Sequence, residues 1–133
     1  MNNGDINTDS IKEHWVDSSK EDKQAMYAMF NAKSYPWALF IGHISVEKML
    51  KAIYVDKYKK NAPFTHNLYR LAELCGLGMT SEIADWLDRI TTFNIEARYD
   101  DYKREFYSIC NDDFTELWIK RIEEITQWLK KQL

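Results

Sequence analysis

Apolar residues recur three and four positions apart along this chain, the spacing that collects them on one side of an α-helix. Residues 1–8 are polar and expected to fray. Asp9 or Ser10 can then cap a first helix whose stripe is Ile11, Trp15, Ala25, Met26, Met29 and Phe30. That helix ends between Asn31 and Ser34. Pro36, which lacks an N–H and suits a first helical turn, opens a second helix running to about Lys57. Thr65 caps a short third helix that stops at Gly76. Thr80 or Ser81 starts a fourth, with the stripe Ile83, Trp86, Leu87, Ile90 and Asn94, which weakens around Arg98. The last helix carries Phe114, Leu117, Trp118, Ile122, Ile125, Trp128 and Leu129 and has the cleanest two-sided pattern. No internal repeat or low-complexity stretch breaks this order. The pattern predicts an all-α, up-and-down bundle of four long helices and one short one, filling residues 9–133 as a single domain.

Composition supports that picture and removes several functions. Only two prolines and four glycines occur in 133 residues, too few for the turns that sheets require. A formal charge of -3 gives no overall attraction to polyanions, so a general nucleic-acid coat is disfavoured. Cys75 and Cys110 stand far apart, without metal-ligand spacing, and no signal peptide or membrane-length apolar run is present. A cytoplasmic protein with reduced thiols is expected, and neither a metal nor a cofactor is called for.

The second helix is unlike the others. Trp37, Leu39, Phe40, Ile41, Ile44, Val46, Met49, Leu50 and Ile53 cover almost its whole circumference, so it is expected to be buried on several sides. Its polar residues His43, Glu47 and Lys51 lie four apart in a narrow ridge bordered by Phe40, Leu50 and Tyr54, whereas Lys48 points elsewhere. Two readings stay open. The ridge is either a structural series of i,i+4 pairs at a helix or subunit interface, or a strip lining a cleft where His43 and Lys51 meet an anion.

Other positions carry weaker signals. Asp22 falls inside the apolar stripe of the first helix and needs a cationic partner, for which Lys48 and Arg98 have the right phase. His66 follows the cap candidate Thr65 and can hydrogen-bond to neighbouring helices, while Lys57, Lys59 and Lys60 read as a solvated loop that complements a helix C-terminus. The segment Arg98-Tyr99-Asp100-Asp101-Tyr102-Lys103-Arg104-Glu105-Phe106-Tyr107 mixes aromatics with both charge signs between the last two helices. It suits a site wall, with Arg98 on phosphate and Tyr99 or Tyr102 stacked on a base, or equally a dimer rim in which the tyrosines pack.

The stretch from His43 through Glu47-Lys48-Met49-Leu50-Lys51-Ala52, followed by Thr65-His66-Asn67-Leu68 and later Arg98-Tyr99, resembles the small bacterial and archaeal HEPN proteins over nearly the whole chain. The resemblance implies a helical bundle that commonly dimerises, often in toxin–antitoxin modules beside a minimal nucleotidyltransferase. Ribonucleolytic members of that family use an arginine and a histidine separated by four to six residues. No arginine here precedes His14, His43 or His66 at that spacing, and Arg98 alone stays protonated and cannot move protons. The family's frequent proline after Arg-Tyr is replaced by Asp100, so the backbone is expected to continue differently there.

The expected function is therefore a self-associating partner of a minimal nucleotidyltransferase that contacts a nucleotide or RNA phosphate near Arg98 and Lys51. The candidate ligand-binding residues are His43, Glu47, Lys48, Lys51, His66, Arg98, Tyr99 and Tyr102. Two alternatives remain open. One is a metal-independent ribonuclease pairing Arg98 with His43 or His66 outside the usual motif. The other is a non-catalytic dimeric module whose ridge is covered by a second subunit.

Overall fold

The computed structural model describes residues 7–133, and six helices follow in order. α1 spans Thr8–Asn31, and the side chain of Asn7 accepts from the Ser10 N–H. The cap thus lies ahead of Asp9 and Ser10, because Asn serves as well as either and frees Asp9 to sit in the first turn, where its charge suits the helix dipole. Of the polar segment expected to fray, Thr8 is already helical and positions 1–6 lie outside the described residues.

α2 spans Tyr35–Tyr58 and opens on Pro36. It runs antiparallel to α1: Lys12 meets Asp56 at 3.1 Å, Ser19 donates to the Ser45 carbonyl at 2.8 Å, and Met26 sits beside Gly42. Ser19 and Ser45 are both buried, and Ser45 donates back to the Ser19 carbonyl at 3.0 Å. Such small reciprocal pairs satisfy their polar atoms while letting two backbones approach. More than half of α2 is buried, as its apolar circumference requires, because α3, α4, α5 and α6 also pack on it.

α3 (Leu68–Leu74) is capped by Asn67, which accepts from the Arg70 N–H at 3.0 Å, rather than by Thr65. Thr65 instead accepts from the Asn67 N–H and shapes the turn before the helix. Gly76 follows with φ +70, a conformation that costs a glycine little. α4 (Ser81–Glu96) starts at the expected cap, Thr80, which accepts from the Ile83 N–H. α6 (Asp112–Lys130) buries Trp118, Ile122, Ile125 and Leu129, but Leu117 is 43% exposed and Thr115 and Ile119 take inward positions instead.

Between α4 and α6 the charged segment folds as a helix of its own, α5 (Asp100–Ile109), in addition to the four long helices and the short one. Tyr99 is its N-cap residue and Asp100 its first position, which answers how the backbone continues where a proline is often found. Phe106 fastens it to the core: its ring lies 5.5 Å from Phe93 of α4, which in turn meets Trp118 of α6 edge-on at 5.5 Å.

Candidate ligand-binding site

The chain between α2 and α3 returns over the middle of α2 and brings His66 to the ridge. His43 Nε2 lies 3.0 Å from the His66 carbonyl and donates to it, which fixes the tautomer and leaves Nδ1 a buried acceptor without a partner among the described residues. Glu47 Oε1 meets His66 Nδ1 at 2.8 Å, and Glu47 Oε2 meets Lys51 Nζ at 3.0 Å. Lys51 Nζ also sits 5.3 Å from the centre of the Trp15 ring of α1. His43, Glu47 and Lys51 are 0%, 7% and 9% exposed. The ridge is therefore a linked row inside the bundle, covered by Trp15 and His66 of the same chain.

Burial pushes the His43 imidazole below its ordinary 6.5, and the nearby charge of Arg98 acts in the same direction. His43 is thus neutral at physiological pH and closed to solvent. His66 differs, with 67% of its side chain exposed and its Nε2 open among the described residues.

Beside His66 opens a cleft of about 500 Å³. The last two turns of α4 supply Thr91, Asn94 and Ile95, the chain just beyond them supplies Arg98 and Tyr99, and Asn67 stands on the opposite lip. Arg98 donates from Nε to the Asn94 carbonyl at 2.8 Å and from Nη2 to Asn94 Oδ1 at 3.0 Å, with its guanidinium 5.4 Å from the Phe40 ring and 5.2 Å from that of Tyr99. Asn94 holds the guanidinium from one turn back and keeps its own amide N–H groups for the cleft. Thr91 is used internally, accepting from the Leu68 N–H and donating to the Leu87 carbonyl.

The eight candidate residues do not form one site. His66, Arg98 and Tyr99 line the cleft, and His43 and Glu47 lie beneath His66. Lys51 is spent on Glu47 and Trp15, so it does not reach a ligand beside Arg98. Lys48 faces α1, where its ammonium is 2.6 Å from Asp22 Oδ2 and donates to Ser18 Oγ at 2.7 Å. That pair is half-buried, Asp22 Oδ2 stays outside hydrogen-bond alignment, and Arg98 takes no part in it. Tyr102 belongs to a separate cavity of about 280 Å³ beside Arg89, Glu96 and Glu105. Asn67 and Asn94 are cleft residues that sequence patterning passed over as ligand contacts; Asn94 stands four before Arg98 on one helix face, the spacing that would have linked them.

Among the described residues no group of three or more His, Cys, Asp or Glu side chains can hold a metal ion. The cleft combines a guanidinium, two amide groups and an imidazole with the apolar faces of Ile95 and Tyr99, and no carboxylate lines it among the described residues. A family model for the HEPN domain matches residues 12–132. The chain belongs to the HEPN family. Its fold is similar to that of TT1696 from Thermus thermophilus, with a TM-score of 0.76 and 14% identity, covering 92% of this chain and 98% of that one. A comparison with curated proteins finds no match. In this HEPN chain the conspicuous row on the second helix works inside the bundle, and the surface that faces a ligand is built by the end of α4 and the turn before α3.

Proposed function

We propose that this HEPN domain binds a phosphate-bearing ligand, a nucleotide or an RNA segment, in the Arg98 cleft, as the self-associating partner of a minimal nucleotidyltransferase in a toxin–antitoxin-type module. A cytoplasmic setting suits its two buried free thiols. One observation carries the ligand reading. Lys12, Lys23, Lys48, Lys51 and Arg89 each sit within ion-pair distance of a carboxylate, whereas Arg98, among the described residues, pairs with none and bonds only Asn94. A guanidinium held in place by neutral groups at the mouth of a carboxylate-free cleft keeps its charge for an anion. Tyr99, 53% exposed, offers its ring to a base.

A ribonuclease is the second reading, and the Glu47–His66 contact favours it, since an imidazole oriented by a buried carboxylate is a form of general base. His43 has no such part because it is sealed and neutral. RNA cleavage that disappears in His66→Ala while folding persists would establish that reading.

The test of the main proposal is thermal denaturation of wild type and Arg98→Ala with nucleoside mono-, di- and triphosphates and short RNAs. A ligand that binds the folded state raises the melting temperature. The expected result is a rise for phosphate-bearing ligands in wild type that vanishes in Arg98→Ala. No rise for any of them in wild type overturns the proposal.

A further inference from the structure

We infer that the Arg98 cleft selects a terminal phosphate monoester, on a free nucleotide or at an RNA end, over an internal phosphodiester, with His66 as the residue that tells them apart; this rests on reading the cleft as a phosphate site. The argument begins with the donors. Arg98 has given Nε and one N–H of Nη2 to Asn94, so it presents its remaining hydrogens end-on. Asn67 Oδ1 accepts from the Arg70 N–H and Asn94 Oδ1 from Arg98, which leaves the amide N–H groups of both for a ligand oxygen. Arg98 and one amide are enough for the two non-bridging oxygens of a diester. His66 Nε2 then has nothing to bind unless the phosphate brings a third oxygen, as a monoester does.

Proton inventory points the same way. His66 Nδ1 is engaged by Glu47, whose second oxygen is held by Lys51, and the charged or titratable neighbours on this side are His43 below and Arg98 beside. With Nδ1–H given to Glu47, Nε2 meets the ligand as a lone pair. A phosphate monoester has a second pKa of about 6, near that of an ordinary imidazole at about 6.5, so near neutral pH the two can share one proton in an O–H···N or O⁻···H–N bond. A diester has no such proton and confronts the lone pair with an anionic oxygen. Charge-assisted bonds of this type are strong enough to separate the two ligands by about tenfold or more. Ile95 and Tyr99, both exposed on the cleft wall, give the nucleoside an apolar surface that inorganic phosphate would leave bare.

The experiment is calorimetric titration of the four nucleoside 5′-monophosphates, their 5′-methyl esters, and an adenosine dinucleotide with and without a 5′-phosphate. At least one monophosphate, or the 5′-phosphorylated dinucleotide, is expected to bind about tenfold or more tightly than its diester counterpart. In His66→Gln, a change at an exposed side chain, that ratio collapses towards one, and Arg98→Ala abolishes both members of the pair. Binding of the monophosphate alone identifies a free nucleotide as the source, and tighter binding of the phosphorylated dinucleotide identifies an RNA end. Equal binding of monoester and methyl ester, or a ratio that survives His66→Gln, overturns the selectivity but leaves the phosphate site standing. Absence of binding by every one of these ligands overturns both.

Discussion

At Glu47 one nearly sealed carboxylate meets two nitrogens at bonding distance, Lys51 Nζ at 3.0 Å and His66 Nδ1 at 2.8 Å, with His43 Nε2 further off at 3.9 Å. Taken singly, an i,i+4 pair in water contributes a few tenths of a kcal/mol. Burial changes the sign of the accounting. Removing one member leaves the other's charge without a partner in a site that water does not reach, whereas removing both can be close to neutral. Glu47→Leu is therefore expected to lose about 3–5 kcal/mol in urea denaturation, and Glu47→Leu with Lys51→Met to recover most of it. Costs that simply add would mean that Lys51 finds solvent unaided. The spacing of His43, Glu47 and Lys51 was legible in the sequence because a helix period is local. What the row faces was not. Trp15 lies on another helix and His66 arrives only when the connection after α2 folds back, so which residues of the row are sealed and which neighbour reaches the cleft depends on tertiary closure. Asp22 was legible as needing a cation, and geometry then favours Lys48, which faces α1, over Arg98, which Asn94 holds on another side of the bundle.

Elements meet most closely at Gly42, where α1, α2 and α6 converge. A Cβ there would stand 2.6 Å from Ile122 Cδ1 and 2.9 Å from Met26 Sδ. Both atoms are ends of flexible side chains, so Gly42→Ala can be accommodated by their turning aside. It recovers about 1 kcal/mol of helix propensity against an overpacking cost of about 1–3 kcal/mol. The expected outcome is a small net loss of about 1 kcal/mol, while Gly42→Val, which also brings γ carbons into the junction, loses at least about 3 kcal/mol. Chemical denaturation of both variants checks this, and a stabilised Gly42→Val would mean that the three helices are not packed through this glycine. The long helices were readable because each sustains its stripe over several turns. α5 was not, since its ten residues carry one fully buried anchor, Phe106, among dense charges, and a single apolar position sets no period. It becomes a helix because Phe106 has Phe93 to pack on. The caps at Asn7 and Asn67 were missed for a related reason: several good capping residues stand side by side at both starts, and only backbone geometry chooses among them.

For the molecule as a whole, pH acts through two sets of groups in separate windows. His43 sits at 0% exposure, and its folded-state pKa is lowered from 6.5, chiefly by burial, with Arg98 and His66 adding to the effect. The unfolded chain then binds a proton that the folded chain refuses, so stability is full above the unfolded value and falls as pH drops below about 6.5. The carboxylates behave alike but lower. Asp56 is held below its ordinary 3.8 chiefly by Lys12. Glu123, although burial opposes ionisation, ends below 4.5 because Lys23, Gln127 and Tyr27 all bond it. Their stabilisation is present above the ordinary carboxylate range and is lost as pH falls through their folded values. Melting curves recorded from pH 8 to pH 3 should thus fall in two stages, the first beginning just below about 6.5 with a slope of no more than about 1.4 kcal/mol per pH unit for one proton, the second below about 4.5. His43→Gln keeps an N–H for the His66 carbonyl but cannot charge, so it should erase the first stage while leaving the second in place, whatever it does to stability at pH 8. His66 is the internal control. Because it stands mostly in solvent with Glu47 at its side, His66→Gln should preserve the first stage, and a first stage that vanished with His66 instead of His43 would show that the sealed imidazole is not the group that acid must charge to unfold the bundle.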